Sequence, residues 1–354
     1  MKILITAPSL DENENVSGIS TVVRQIIERG NFDYTHFSAG RRDGEQQSAT
    51  WIFRQIGLPF RFRKEINHEK FDIAHINTAF NPLSIVRDFM LVKAAKIAKC
   101  RVLLHVHGGK FLAREFENNF VKKIAEKMLR SSDIIVVLSK LEKQILENLW
   151  NGLNIKVLEN AIAVEDFLPA LKKKNSLIFL GRLNESKGLN EIIEVVSILK
   201  TDNYDFTFRA FGAGEMQDYF VDTMKKVLGE KFYFGGIISG EIKQKELAES
   251  DIFLLPSRYG EGLPMAMLEA MAAANIVVVS EMASIGAVVK DNFNGFLIKP
   301  KNTTQLINKL EYILSGKNNL EKIRQNARKM VEEKFNLKDY IKKLENIYTE
   351  ISQK

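Results

Sequence analysis

The chain has 354 residues, of which 45% are hydrophobic and 27% are charged. These proportions are ordinary for a globular protein and exclude a disordered or fibrous one, and the length is enough for two domains of common size. The single cysteine, Cys100, excludes an intrachain disulfide and fits a reducing compartment.

The sequence offers no segment that would cross a membrane as a helix. No apolar run approaches the ~20 residues that a spanning helix needs, and the first residues, MKILITAPSL, predict a buried strand rather than a signal peptide. The net charge of +7 favours an acidic partner, such as anionic lipid or a phosphate-bearing substrate. No nucleic-acid-binding module accompanies that charge. We therefore expect a cytoplasmic protein that does not bind nucleic acid.

Short β-rich segments alternate with amphipathic segments along the whole chain. Strands are predicted over 2–6, 72–76, 101–106, 133–138, 155–158, 176–180, 206–211, 231–234, 251–255 and 275–279. Helices are predicted between them, over 19–28, 83–99, 118–130, 189–200, 216–228, 242–249 and 264–274. This alternation predicts right-handed βαβ units and parallel sheets. Strands as apolar as DIIVVL and DIFLLP suit sheets that are covered by helices on both faces.

A polar, Lys-rich stretch over 161–175, AIAVEDFLPALKKKN, interrupts this alternation before a new strand starts at Ser176. We interpret it as the boundary between two α/β domains, each a Rossmann-like, doubly wound parallel sheet, that face each other across a cleft. The predicted domains are 1–165 and 166–335, and the charged segment 336–354 is predicted to be a helix that packs back across them. Ligands of such sheets bind beyond the C-terminal ends of the strands.

The segment EGLPMAMLEAMAAA, from Glu261 to Ala274, is the most informative in the chain. Glu261 lies in a Gly/Pro loop, Pro264 fits the first position of a helix, and Glu269 is the only charged residue of that helix. A lone buried carboxylate needs a partner, and a helix N-terminus has free N–H groups that suit a phosphate. The segment therefore indicates a nucleotide-sugar site. The alternative is that Glu269 only forms a structural ion pair.

Two motifs in the first half of the chain follow strands. Gly18 opens a helix after the first strand, where a glycine lets backbone N–H groups approach a phosphate, although turn geometry alone also explains it. His107 ends its strand before two glycines, in HVHGG, and is predicted to face the cleft, the alternative being a structural histidine. Zinc is not expected at His105 and His107, because a zinc site needs further ligands.

Two loops in the second half carry candidate ligands of a nucleotide. Arg182 and Lys187 lie in GRLNESKG, where the two cations can clamp a diphosphate, although a solvated basic loop is the alternative. Gly214 and Glu215 end a second glycine loop, FGAGE, which is a weak signal by itself. Because the chain contains no Asp-x-Asp pair, we expect no metal ion and no cofactor. The charge of a diphosphate would then be balanced by the two cations and the helix N-terminus.

The order of these pieces resembles glycosyltransferase family 4, which consists of retaining enzymes of GT-B fold. The matching positions are Gly18, His107-Gly108, Gly181-Arg182-Leu183 with Lys187-Gly188, the loop Phe211–Glu215, and the two glutamates separated by seven residues, Glu261 and Glu269. The resemblance covers essentially the whole chain, and it implies that domain 1–165 binds the acceptor and domain 166–335 binds the nucleotide sugar. It departs from the family at Ser17 and Ala161, where the family often has glycine.

The resemblance implies a role for each matching residue. Catalysis would involve His107, which would face the sugar near the reacting carbon, and Glu261, which would contact the donor sugar. Donor binding would involve Gly18, Arg182, Lys187, Gly214, Glu215, Pro264, Met265, Ala266 and Glu269, with the two cations on the diphosphate and Glu269 on the ribose hydroxyls. The implied reaction moves a sugar from a nucleotide diphosphate sugar, with a UDP-sugar favoured, to a glycan or lipid-linked glycan acceptor in surface polysaccharide synthesis.

Two other functions stay open from the sequence. A nucleotide-sugar epimerase or hydrolase of the same architecture would consume the donor without an acceptor. A non-catalytic sugar-nucleotide-binding protein is disfavoured by the intact Arg182, Lys187, Glu261 and Glu269. A nicotinamide dehydrogenase is unsupported, because no G-x-G-x-x-G follows the first strand.

The first half also contains a candidate membrane-binding surface. The segment 51–64, WIFRQIGLPFRFRK, interleaves aromatic and basic residues without an acid, and the stretch 93–130 is rich in Lys and Arg. Peripheral proteins use this mixture at anionic lipid surfaces. Two interpretations stay open: the first domain docks on the inner face of the cytoplasmic membrane, or the segment is a packed amphipathic one with solvated cations.

Overall fold

The computed structural model of the chain contains two compact units, each with one six-stranded parallel sheet. It describes residues 1–353 except 13, 16, 41–48, 114, 115, 117, 260, 283 and 317–319, and it does not describe the side chains of 49–54, 110 and 113. The first unit comprises Met1–Asn160 and Lys338–Lys354, and the second comprises Ala161–Leu337. The predicted α/β class, with two doubly wound parallel sheets, is confirmed.

The sheet of the first unit has the strand order β2-β1-β3-β4-β5-β6, and all neighbours are parallel. Its strands are β1 Lys2–Ala7, β2 Asp33–Ser38, β3 Ile73–Thr78, β4 Arg101–Val106, β5 Ile134–Val137 and β6 Ile155–Val157. Its helices are α1 Gly18–Arg29, α2 Ala49–Glu69, α3 Pro82–Ile97, α4 Lys110–Ala113, α5 Asn119–Ser131, α6 Lys140–Leu149 and α14 Leu337–Ser352. After β1 the chain adds β2 on one side of that strand, and it then adds β3 to β6 in turn on the other side. The switch point of the sheet therefore lies between β1 and β3.

The sheet of the second unit has the order β12-β11-β10-β7-β8-β9, and all neighbours are again parallel. Its strands are β7 Ser176–Leu180, β8 Thr207–Phe211, β9 Phe232–Phe234, β10 Ile252–Leu255, β11 Ile276–Ser280 and β12 Phe296–Ile298. Its helices are α7 Leu189–Thr201, α8 Gln217–Leu228, α9 Gly240–Glu249, α10 Met265–Ala272, α11 Ile285–Val288, α12 Thr303–Leu314 and α13 Glu321–Lys334. The switch point of this sheet lies between β7 and β10.

The central strands are buried over their full length. Every residue of β3, β5, β10 and β11 is buried, as expected for strands that have helices on both faces. Two strands that the sequence did not predict, β2 and β12, are edge strands. Most of β2 is partly or fully exposed and β12 has only three residues, so neither has the apolar run by which a central strand is recognised.

Helix α14 packs on the first unit. Tyr348 is fully buried there, its hydroxyl lies 2.6 Å from Nδ1 of His75, and Glu350 forms an ion pair with Lys156. In the parts of the chain that the structure describes, none of the helices combines the length and the hydropathy that spanning a bilayer requires.

Candidate functional site

The loops that follow β7, β8 and β10 lie against one another at the switch point of the second unit. The backbone N–H of Leu183 donates to the carbonyl of Ala213 at 2.9 Å. A Cβ on Gly214 would lie 2.3 Å from the carbonyl oxygen of Leu183, and a Cβ on Gly188 would lie 2.1 Å from that of Pro256. Gly188 also has a φ of 74°. Glycine is therefore required at both positions, because only it permits these backbone approaches.

This loop packing brings Lys187 and Glu261 into contact. Nζ of Lys187 lies 2.5 Å from Oε1 of Glu261, and the hydroxyl of Ser257 donates to the same oxygen at 2.6 Å. The side chains of Lys187 and Glu261 are only 20% and 8% exposed. Arg182, the other predicted diphosphate ligand, is exposed in the same loop as Lys187. The structure thus joins two predicted site residues that lie 74 positions apart.

Arg258 fastens these loops together, and the sequence analysis did not identify it. Its backbone N–H donates to the carbonyl of Ser186 at 2.7 Å. Its guanidinium donates to Glu191 at 2.7 Å and to Glu185 at 2.8 Å. All three acceptors flank or adjoin Lys187, so Arg258 fixes the segment that carries this cation. No local motif marks Arg258, because its partners lie in a distant part of the chain.

Helix α10 begins one residue later than predicted. Pro264 has φ −67° and ψ 123°, which makes it the N-cap and not the first helical residue, and Met265 is the first helical residue. The φ fits the prediction, but the extended ψ places the residue outside the helix, where its carbonyl accepts from the N–H of Leu268 at 3.3 Å. Pro264 forms no side-chain capping hydrogen bond, so the N–H groups of Met265 and Ala266 are placed to receive an anion.

Glu269 is buried on α10 and is paired with a lysine. Its Oε1 accepts from Nζ of Lys243 on α9 at 2.8 Å, and the two side chains are 3% and 18% exposed. The ammonium also lies 5.6 Å from the ring centroid of Phe167, a cation–π distance. The structural ion pair considered from the sequence therefore exists. It occupies one carboxylate oxygen, and Oε2 has no hydrogen-bond partner among the described residues.

His107 lies just beyond β4 in the first unit and is half-buried. Its Nε2 is 2.6 Å from Oδ1 of Asn77, and its ring centroid is 4.0 Å from that of His105. Nε2 of His75 lies 3.3 Å from Nδ1 of His105, which continues the row toward Tyr348. Burial lowers the pKa of His107 and of His75 to about 3, so both imidazoles are neutral at physiological pH.

The predicted site residues Gly18, Gly214 and Glu215 are all exposed. Gly18 is the exposed first residue of α1, where the Ser17 hydroxyl accepts from the N–H of Ser20 at 3.2 Å. Ser17 is thus an N-cap, which explains the departure from glycine at that position. Gly214 and Glu215 are exposed in the loop after β8. Gly18 and His107 belong to the first unit, and the other predicted residues belong to the second.

Metal binding has no candidate site in the described part of the chain, which contains no group of three or more His, Cys, Asp or Glu arranged to hold an ion. Donor binding without a metal ion stays a prediction.

Known protein families match both parts of the chain. The family "Glycosyl transferases group 1" matches residues 164–330, and "Glycosyltransferase Family 4" matches residues 45–166. An uncharacterized glycosyltransferase of Methanocaldococcus jannaschii is 30% identical over 297 residues, which are 78% of this chain and 75% of that protein. The chain belongs to glycosyltransferase family 4. The predicted family and the transferase activity are confirmed.

Other relatives of this glycosyltransferase have named substrates or solved structures. The UDP-Gal:alpha-D-GlcNAc-diphosphoundecaprenol alpha-1,3-galactosyltransferase of Escherichia coli is 26% identical, over 81% of this chain and 78% of its own. Sucrose-phosphate synthase from Thermosynechococcus elongatus has a TM-score of 0.82 at 14% identity, covering 99% of this chain and 98% of that one. Anabaena HepE in complex with UDP-glucose has a TM-score of 0.80 at 16% identity, covering 99% and 100%. These structures confirm the GT-B class of fold.

Proposed function

We propose that the enzyme transfers a sugar, with retention of configuration, from a nucleotide diphosphate sugar to a glycan or lipid-linked glycan acceptor in surface polysaccharide synthesis. The observation that carries the proposal is the contact of Lys187 with Glu261 just before the N-terminus of α10. This contact brings together a cation that suits a phosphate, a carboxylate that suits sugar hydroxyls, and the N–H groups of the helix N-terminus, which also suit a phosphate. The names of the E. coli galactosyltransferase and of the HepE complex favour a UDP-sugar as the donor.

The donor diphosphate would be held by charge from two sides. Lys187 has three N–H donors, so it can keep Glu261 and also reach a phosphate oxygen. Arg182 would add a bidentate contact, and the N–H groups of Met265 and Ala266 would meet the phosphate at the positive end of α10. In this proposal Glu261, held by Lys187 and Ser257, presents its other oxygen to the donor sugar.

The nucleoside would be recognised by Glu269. Lys243 holds one carboxylate oxygen, which fixes the orientation of the group, and the other oxygen is left to accept from the ribose hydroxyls. Gly214 and Glu215 would lie near the nucleoside, and Gly18 near the phosphates. His107, which is neutral, would contact the donor sugar by hydrogen bonding and not as an acid.

Transfer with retention would proceed on one face of the sugar. The acceptor oxygen forms the new bond to the anomeric carbon on the face from which the diphosphate leaves, and the leaving phosphate oxygen takes the proton of the acceptor hydroxyl. Arg182, Lys187 and the N-terminus of α10 stabilise the charge that develops on the diphosphate. The anomeric configuration of the product tests this step, because an inverted product or a trapped glycosyl-enzyme would contradict it.

The first unit would dock on anionic lipid at the inner face of the cytoplasmic membrane. On α2, Leu58, Phe62 and Ile66 face the core, whereas Ile56 is 57% and Phe60 is 77% exposed. Leu83 on α3 and Phe120 on α5 are 63% and 68% exposed; α3 packs against α2, and α5 packs against α3. The exposed cations Arg61, Arg63 and Lys64 accompany the apolar residues of α2. The side chains of Trp51, Phe53 and Arg54, part of the predicted surface, lie outside the described residues.

Vesicle sedimentation tests this docking. Binding to anionic vesicles should weaken with salt, and the substitution Phe60→Ser should reduce it because apolar insertion and charge both contribute. Substituting Tyr312, an exposed residue of the second unit, by Ser is the matched control and should leave binding unchanged. Equal binding to neutral vesicles would refute the electrostatic part of the proposal.

Donor binding is tested by thermal shift with UDP, GDP, ADP and their common sugars. Ligand at 100 times its dissociation constant stabilises the folded protein by about 2.7 kcal/mol. One nucleotide series should raise the melting temperature of the wild type, and Arg182→Ala and Glu269→Ala should abolish the shift. Lys329→Ala, which alters an exposed lysine of α13, should retain it.

Activity then separates the transferase from the alternatives. The favoured donor should be consumed rapidly only with an acceptor present, because a transferase hydrolyses its donor slowly as a side reaction. Rapid consumption without an acceptor would identify an epimerase or hydrolase. A melting temperature that no nucleotide changes, with anionic vesicles present or absent, would refute the donor site.

A further inference from the structure

Asn77 lies between His107 and the backbone of β1. It is a residue of β3 and is only 4% exposed. Its Nδ2 is 2.8 Å from the carbonyl oxygen of Thr6, its backbone N–H donates to the hydroxyl of Thr6 at 3.0 Å, and its Oδ1 is 2.6 Å from Nε2 of His107. The amide therefore bridges the first strand of the sheet and the predicted catalytic histidine.

The contact with Thr6 determines which way the amide of Asn77 faces. A backbone carbonyl can only accept a hydrogen bond, so the group 2.8 Å from it must be the NH₂ of Asn77. The reversed amide would place two acceptor oxygens against each other. Oδ1 consequently faces His107, and because Oδ1 can only accept, Nε2 of His107 must carry the hydrogen. In a neutral imidazole the other nitrogen, Nδ1, is then an unprotonated acceptor.

We propose that Asn77 is a positioning residue that holds His107 as its Nε2–H tautomer, so that Nδ1 accepts a hydrogen bond from a hydroxyl of the donor sugar. The proposal rests on the proposed function for the identity of the sugar, but the assignment of the tautomer does not. No described residue is hydrogen-bonded to Nδ1, and this nitrogen belongs to a half-buried ring. It is thus the one polar atom of the imidazole that is left for a ligand.

The groups behind His107 reinforce this arrangement. The buried rings of His105 and His75 stack in a row that reaches the hydroxyl of Tyr348. Among the residues that the structure describes, no acidic side chain is hydrogen-bonded to His75, His105 or His107, so none of these carboxylates stabilises an imidazolium there. With His107 neutral throughout the working range of pH, its orientation depends on a single directional bond, the one to Asn77. A side chain held by one bond is sensitive to the loss of that bond.

Nitrogen NMR of the protein with ¹⁵N-labelled histidine reads the tautomer directly. The chain has five histidines, and His107→Gln identifies the resonances of His107 by their loss. We expect one protonated and one unprotonated nitrogen, with the hydrogen on Nε2 and protected from exchange with water. A hydrogen on Nδ1 of His107 in the wild-type protein would overturn the proposal.

Asn77→Leu tests the cause. It removes the acceptor but keeps the branched shape of the side chain, so the Nε2–H protection should be lost and the two nitrogen resonances should move toward each other as the tautomers mix. Thr6→Val is the matched control, because it removes the hydroxyl contact to the backbone of Asn77 but keeps the carbonyl that orients the amide. It should preserve the tautomer. An unchanged His107 spectrum in Asn77→Leu would refute the role of Asn77.

Titration with UDP-sugar and with UDP alone tests the ligand. Nδ1 should shift with the sugar nucleotide and not with UDP, and Asn77→Leu should lower kcat/KM by about 10- to 100-fold through misplacement of the imidazole while the thermal shift by UDP is retained. Bound UDP-sugar that leaves Nδ1 unmoved would refute the sugar contact. Failure of the proposed function would look different, because no nucleotide would bind while the tautomer of the unliganded protein would still be observed.

Discussion

Removing the ammonium beside Glu269 should destabilise the enzyme strongly. Lys243→Met leaves a carboxylate that is only 3% exposed without its cation, and breaking one partner of a buried ion pair costs about 3–5 kcal/mol. Lys243 retains 18% exposure, through which water can reach the site, so we expect the lower end, about 3 kcal/mol. The loss should appear in urea unfolding followed by circular dichroism, as a lower midpoint with an unchanged slope.

Two further variants separate charge from packing. In Lys243→Met with Glu269→Gln no charge is left buried, and replacing both members of a buried pair is often neutral, so most of the stability should return. Lys329→Met is the exposed control, since its pair with Glu333 has side chains 71% and 58% exposed and should contribute no more than about 0.5 kcal/mol. A loss below about 1 kcal/mol in Lys243→Met, or no recovery in the double variant, would refute this account of Glu269.

Three more outcomes follow from the geometry. Gly188→Ala should abolish the thermal shift by nucleotide, because the new Cβ would lie 2.1 Å from a backbone oxygen and would push apart the loops that carry Lys187 and Glu261. Gly152→Ala is the control, since Gly152 has a similar φ of 78° and a Cβ there would have nothing within 4 Å. This variant should bear only the backbone strain of about 1–2 kcal/mol and keep nucleotide binding. The free energy of unfolding should fall as pH decreases from about 6.5 toward 3, because burial lowers the pKa of His75 and of His107 to about 3 and the unfolded chain therefore takes up protons first. The free energy should change by up to about 1.4 kcal/mol per pH unit for each histidine. Equal urea midpoints at pH 7 and pH 5 would contradict this. Tyr348→Phe should cost about 1–3 kcal/mol by leaving the buried His75 without its hydroxyl partner, and an unchanged melting temperature would show that this contact contributes nothing.

Much of the architecture could be predicted because buried parallel strands are written in the sequence as apolar runs. The segments that became β4 and β7 were predicted at their observed bounds. The edge strand β2 was missed because an edge strand is half-solvated and carries polar residues, as DYTHFS does. Pattern alone cannot distinguish such a strand from a loop.

The sequence predicts which loops carry the residues of the candidate site, but it does not predict which of these residues contact one another. The glycines and the two glutamates marked where Lys187, Glu261 and Glu269 would lie. The partners of these residues depend on how closely separate loops approach, and that approach is decided by contacts such as Gly188 against Pro256. Asn77 carries no motif at all, since its meaning arises only when β3 lies between β1 and β4 in the sheet.

The first unit is discontinuous in the chain, and this has a consequence for synthesis and for engineering. The segment from Lys338 on belongs to the first unit, yet the ribosome makes it only after the whole of the second unit. The pocket for Tyr348 beside His75 therefore stays unfilled while the nascent second unit folds. A chimera that exchanges the first unit with that of a relative needs two junctions, near 160 and near 338. A single junction near 160 would combine the exchanged part of the first unit with an α14 from the other protein.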